Sequence, residues 1–184
     1  MKTIACITAV VALVMLTSMN TYAQGQMSVG AGLDMMFPVG SFGDRWGTGF
    51  GATGEFDYSL NSRAAVTGKI GYLTWSAKKL PSGVTATYGA VPIMIGGKYY
   101  PQFAKDLPVH FYGHLELGFM FGSISVSGTY AALGASKTDF VISPSIGLEI
   151  PAGPRGYIDL SLRYFDISEK SSIGLRAGYR MMLL

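Results

Sequence analysis

The chain has one cysteine, two histidines and few charges: only 14% of its 184 residues are Asp, Glu, Lys or Arg. The lone Cys6 has five residues before it and an apolar run beyond it, so it does not sit where an acylated lipoprotein cysteine would, and a single cysteine cannot form an internal disulfide. Scarce charge with a positive mean hydropathy of +0.32 excludes a disordered chain. The formal net charge of +3 is scattered, and no Lys/Arg run exceeds Lys78-Lys79, which excludes a nucleic-acid partner. After Ala23 no stretch of 18 apolar residues occurs, so the chain does not cross a membrane as a helix. A coiled coil or helical bundle draws on Ala, Leu, Glu and Lys; the 25 Gly, 11 Tyr and 10 Phe here point to strands.

The amino terminus reads as a targeting segment. Lys2 precedes an apolar run from Ile4 to Leu16, a polar stretch follows, and Thr21-Tyr22-Ala23 sets a small residue before a cut after Ala23. Those are the three regions of a secretory signal peptide, and the run is too short for the roughly 20 residues of a spanning helix. The expected organisation is a signal peptide over 1–23 and one domain over 24–184, without cysteine once cleaved.

Within 24–184 the recurring pattern is alternation. Met27, Val29, Ala31, Leu33, Met35 and Phe37 oppose Ser28, Gly30, Gly32 and Asp34, the period of a strand. Seven further segments repeat it, among them Val109 to Phe121, where Phe111, Leu115, Leu117 and Phe119 oppose His110, Tyr112, His114 and Glu116. The connections alternate in length: Pro38 to Thr48, Ser76 to Thr87 and Ser123 to Thr138 are long, while Leu60 to Arg63, Pro101 to Pro108 and Pro151 to Arg155 are shorter and rich in turn residues. Eight amphipathic strands joined this way predict an all-β fold, an eight-stranded antiparallel up-and-down transmembrane barrel with long outer loops.

A soluble ligand-binding barrel would turn the apolar face inward. About 40 medium-to-large side chains would then share a lumen just wide enough for side chains to fill. With the apolar face outward and a polar face rich in Gly and Ser inward, volume and solvation both agree, so the charges belong in the lumen. Trp46, Trp75, Tyr88, Tyr99, Tyr100, Tyr157 and Tyr164 fall near predicted strand ends, where interfacial girdles form.

The lumen face carries six acids, Asp34, Glu55, Asp57, Glu116, Glu149 and Asp159, against five bases, Lys69, Lys98, Arg163, Arg176 and Arg180. Charges withdrawn from water must pair, which predicts a lumen closed by ion pairs. Glu55 and Asp57 are expected to serve Lys69, with Glu116, Glu149 and Asp159 serving the three arginines. Gly49, Gly51 and Gly54 spell G-x-G-x-x-G, but an alternating strand follows where a phosphate-binding helix should open, so they read as glycines easing strand curvature. His110 and His114 lie about 13 Å apart along a strand and cannot share one metal ion. His114 with Glu116 and a third ligand could hold zinc, although a hydrogen-bonded structural pair explains them more simply. No serine is marked out as a nucleophile, so neither catalytic residues nor a cofactor are assigned.

Met27-Ser28-Val29-Gly30-Ala31-Gly32, the segment Val91 to Pro101 and the closing Gly174-Leu175-Arg176-Ala177-Gly178-Tyr179-Arg180 resemble the small outer-membrane β-barrel family of opacity-type proteins and the membrane domains of OmpA-like and OmpX-like proteins. The resemblance covers Gln24 to Leu184. It implies a monomer in the outer membrane of a Gram-negative bacterium, inserted with periplasmic chaperones and the barrel assembly machinery and surrounded by lipid and lipopolysaccharide. One departure concerns assembly: family members usually end in an aromatic residue, whereas this chain ends in Leu184. The expected function is non-enzymatic, exercised through extracellular loops in surface interaction or adhesion, or as a membrane-structural protein. The alternatives are a narrow channel for small solutes and a lipid-modifying enzyme. Candidate loop contacts are Arg45 and Trp46 in the first loop, Lys78 and Lys79 in the second, and Tyr130 and Lys137 in the third.

Overall fold

A computed structural model describes residues 25–78, 84–101, 108–127, 134–167 and 170–183; the signal-peptide reading, Lys79, Tyr130 and Leu184 lie outside them. Eight strands follow in order: β1 (Met27–Pro38), β2 (Trp46–Asn61), β3 (Ala64–Ala77), β4 (Thr85–Tyr99), β5 (His110–Ser127), β6 (Gly134–Pro151), β7 (Gly156–Ile167) and β8 (Ser172–Met182). Each pairs antiparallel with the next, and β8 returns to β1 with Asp34 opposite Arg176, so the sheet closes on itself. A short helix, α1 (Gly40–Arg45), joins β1 to β2.

Alternation decides what each side of the wall meets. Leu33, Ile95 and Ile146 are 65–71% exposed on the outside, whereas Lys98, Glu116 and Asp159 are at most 1% exposed within. A surface of Leu, Ile, Phe and Tyr that broad is stable only in hydrocarbon. Prolines interrupt the ladder locally: the β6–β7 pairing passes from Ile142↔Asp166 to Ser145↔Arg163, skipping Ser143 and Pro144, which has no N–H to donate.

The strands run further than the sequence pattern suggests. β5 continues to Ser127, β6 resumes at Gly134 and β2 starts at Trp46, so much of each long connection is ladder standing above the apolar band. The connection 100–109 at the opposite end is longer than the outer connections that remain. Strand length carries the end-to-end asymmetry here, because Ser, Thr and Gly at the outer ends still pair their backbones.

Candidate functional site: the lumen and its mouths

The inward side chains form three levels. At the level of the short turns, Arg180 reaches four carboxylates, Asp57 (2.8 Å), Glu149 (2.5 Å), Asp159 (3.0 Å) and Glu55 (3.2 Å). Lys98 bonds Asp57 at 3.1 Å and also Glu55. Tyr100 and Tyr112 donate their hydroxyls to Glu149 (2.9 Å) and Asp159 (3.0 Å). At mid-height Lys69 lies 3.0 Å from Glu55 and 2.6 Å from Glu116, and Arg176 donates to Asp159 (2.9 Å) and to Thr53 (3.1 Å). Thr53 in turn donates to Asp34 (2.7 Å), whose other oxygen is 3.6 Å from Arg163.

The structure thus brings all eleven charged lumen residues within ion-pair distance of an opposite charge, with partners that match the expected ones in part. Glu116 pairs with Lys69 and not with an arginine, Arg163 takes Asp34, and Asp57 turns to Lys98 and Arg180, while Glu55 serves Lys69 together with Glu116, and Glu149 and Asp159 meet arginines as expected. The reason is the tilt of barrel strands, which brings together side chains from strands distant in the sheet as well as from neighbours. His114 Nε2 lies 2.8 Å from Thr67 Oγ1, with its other ring nitrogen 3.9 Å from Glu116. Glu55, His114 and Glu116 could each offer a ligand atom to one metal ion, the third ligand being Glu55. The fit is poor: the Lys69 ammonium bonds both glutamates and already fills the place of a cation.

The third level, toward the long connections, is apolar. Met36, Leu73, Met94, Met120, Val141 and Phe165 fill the lumen there with Trp75 and Tyr88, all at most 3% exposed. Phe42 on α1 lies over them, its ring 5.8 Å from Trp75 and 6.0 Å from Tyr88. Trp75 and Tyr88 are therefore core residues and not girdle residues. Trp46 packs on Tyr88 at 5.7 Å, and Tyr100 turns inward to Glu149, while Tyr99 and Tyr164 do face outward. Glycines make this packing possible: a Cβ at Gly49 would fall inside the Trp75 indole, and one at Gly122 would meet the Tyr88 ring. Gly49, Gly51 and Gly54 all lie on β2, so the motif opens no helix and is a packing feature.

Of the loop candidates, Arg45 ends α1 and Lys78 is exposed but anchored, donating through Nζ to the Gly43 carbonyl at 2.7 Å. Trp46 is half-buried against Phe42 and Tyr88, which removes it as a free contact, because its ring gains more by joining the apolar level than by meeting water. Lys137 stands on β6 and pairs with Asp139 at 2.9 Å; Lys170 binds the same carboxylate at 2.7 Å and lies over the Tyr88 ring. Burial alone would lower the Lys170 ammonium, but its bond to Asp139 outweighs this and holds it above the ordinary lysine value.

An apolar outer wall around a charged interior defines an integral membrane β-barrel. Residues 7–180 match the model of the outer membrane protein beta-barrel domain, and the chain belongs to that family. It is a protein of the Gram-negative outer membrane. Similar solved structures include Ail, the attachment invasion locus protein of Yersinia pestis (16% identity over 87% of this chain and 99% of that one, TM-score 0.62). They also include Neisserial surface protein A (18%, 84% and 96%, TM-score 0.59) and OprG of Pseudomonas aeruginosa (13%, 87% and 96%, TM-score 0.60). At such identities the likeness shows the shared fold. No curated protein sequence matches the chain.

Proposed function

We propose that this barrel is a non-enzymatic outer-membrane protein with a closed lumen, acting through its extracellular side on anionic surface sugars or lipopolysaccharide. The observation that carries the reading is the lumen itself. Two levels of ion pairs and one of packed Met, Leu, Trp and Phe succeed one another along its axis, which leaves the loop-bearing rim as the surface that faces a partner. Catalysis by the histidine most suited to it is disfavoured, because His114 is 5% exposed and engaged by Thr67.

The outer rim carries Arg45, Lys78 and Lys137, all exposed, and the half-buried Lys170, which shares Asp139 with Lys137. Their chemistry suits phosphate or sulfate groups, which these side chains attract as point charges or forks of N–H donors. One of the similar structures, that of Ail, is a complex with the heparin analogue sucrose octasulfate, which supplies a probe class for this rim. In detergent at low salt the protein should be retained on a heparin column, and the triple variant Arg45→Glu, Lys78→Glu, Lys137→Glu should elute at clearly lower salt. Identical elution of variant and parent would contradict an anion-binding role for the rim.

A further inference from the structure

Closure leaves no free edge across the apolar band, but the two ladders of β6 end at different heights above it. The pairing with β5 runs unbroken from His110↔Glu149 to Ser125↔Gly134, whereas the pairing with β7 begins only at Val141↔Ile167. The chain turns back there, Lys170 donating its N–H to the Ile167 carbonyl. Among the described residues, the β6 stretch from Gly134 to Phe140 therefore has a neighbouring strand on one side only.

A proline identifies the backbone groups that this edge presents. Pro144 has no N–H, and the β5–β6 ladder passes through Leu115↔Pro144 while the β6–β7 ladder skips it, so its nitrogen faces β7. Alternate residues of an antiparallel strand address opposite neighbours, and the β5–β6 register holds without a bulge. Gly134, Ser136 and Thr138 thus direct their N–H and C=O groups toward the open side. Unpaired backbone is untenable in hydrocarbon, but the outward side chains beyond Phe121 are Ser123, Ser125 and Ser136, which places the edge in water. Native edges are commonly blunted by a bulge, a proline or a lysine. Here the register is unbroken, no proline lies between Gly134 and Ser143, and the Lys137 ammonium is drawn to Asp139 at 2.9 Å.

A second copy does not fit the edge. Two barrels inserted in the same direction about a two-fold axis would set their β6 strands parallel with identical residues level, and a parallel ladder needs the strands one residue out of step. An extended segment of a different chain fits, because its backbone can complete the ladder. Lys137 and Lys170 share the one carboxylate of Asp139 beside the edge, and the Lys137 side chain keeps 63% of its surface exposed, so the excess positive charge favours an acidic segment.

We propose that the β6 edge above Val141 is a docking site for an extended acidic peptide of an extracellular protein partner, added as a further strand along Gly134, Ser136 and Thr138. Backbone hydrogen bonds would hold such a partner, where the basic rim would hold sugars by charge.

Fluorescence anisotropy of the full refolded protein in detergent micelles with a dye-labelled peptide of alternating threonine and glutamate tests it, beside the same peptide with proline at every second threonine. Saturable binding of the first peptide and none of the second is expected. Ser136→Pro together with Thr138→Pro removes two edge N–H groups but no ladder bond and no charge. That variant should keep its heat-dependent gel shift and its heparin retention and lose about tenfold or more in peptide affinity. In amide exchange of the parent, Ser136 and Thr138 should exchange freely while Ala135 and Lys137 are protected, and the peptide should protect all four. No saturable binding to the parent, binding indifferent to the proline pair in a folded barrel, or Ser136 and Thr138 amides already protected without peptide would each overturn the proposal.

Discussion

Arg180 is the residue on which the ion-paired lumen most depends, because among the described residues no other side chain touches as many opposite charges: four carboxylates within 3.2 Å. Truncating one partner of a buried pair leaves the others desolvated and uncompensated, a cost of about 3–5 kcal/mol. Arg180→Ala is therefore expected to lower the urea midpoint of the refolded barrel by that order, with Arg45→Ala at the exposed end of α1 leaving it unchanged. Packing makes a second expectation. Gly49→Val would drive a side chain into the Trp75 indole, at a cost of about 1–3 kcal/mol, and a red-shifted, broadened tryptophan emission is the readout. At this scale the sequence was informative about which charges face inward, since strict alternation sorts them, and only partly about who pairs with whom: Glu55 does serve Lys69 and Glu149 and Asp159 do meet arginines, but Asp57 and Glu116 take other cations. Glu116 meets Lys69 from two strands away, and strand tilt, which sets that meeting, leaves no mark in any one segment.

At the scale of elements, α1 and the upper ends of the strands form one unit. Phe42 is carried into the mouth by a helix that Lys78 holds by its Gly43 carbonyl, and Val39 donates its N–H to the Ser171 carbonyl, tying the first connection to the last. Phe42→Ala should loosen this end alone: faster amide exchange over 39–46 and at Trp75, with unchanged protection around Glu116, is the expected pattern. Lys170 contributes a pH dependence of defined sign. Its folded-state pKa is raised, so the stability it lends is complete below the ordinary lysine value and is lost only as pH rises through the higher folded value. Protection near Asp139 should thus persist at pH 9 and fall in strongly alkaline solution, and Lys170→Met should lower protection there at neutral pH and remove the alkaline loss.

The apolar level at this end was legible in principle. Met35-Met36-Phe37, Tyr72-Leu73, Phe119-Met120-Phe121 and Tyr164-Phe165 place apolar residues on both faces of a strand, and that break in alternation marks a lumen filled without charge. Aromatics near strand ends suggested a lipid-facing girdle instead. Whether such a ring turns in or out depends on whether a facing glycine leaves room for it, as Gly49 and Gly122 do for Trp75 and Tyr88.

For the whole molecule, the fold followed from two properties of the sequence: period-two alternation in eight segments, and more apolar volume than a narrow lumen can hold. The charged interior followed from the same alternation. What the chain acts on did not, because the outer rim is made of ordinary exposed lysines and arginines whose spacing is set by strand register. In the function we propose, ion pairs and the apolar level close the barrel from end to end. Conductance of the refolded protein in a planar bilayer, with the heated-against-unheated gel shift verifying the folded barrel, tests this closure. A folded protein that leaves the membrane electrically silent is the result this structure predicts, and steady discrete current steps from the same preparation would contradict it.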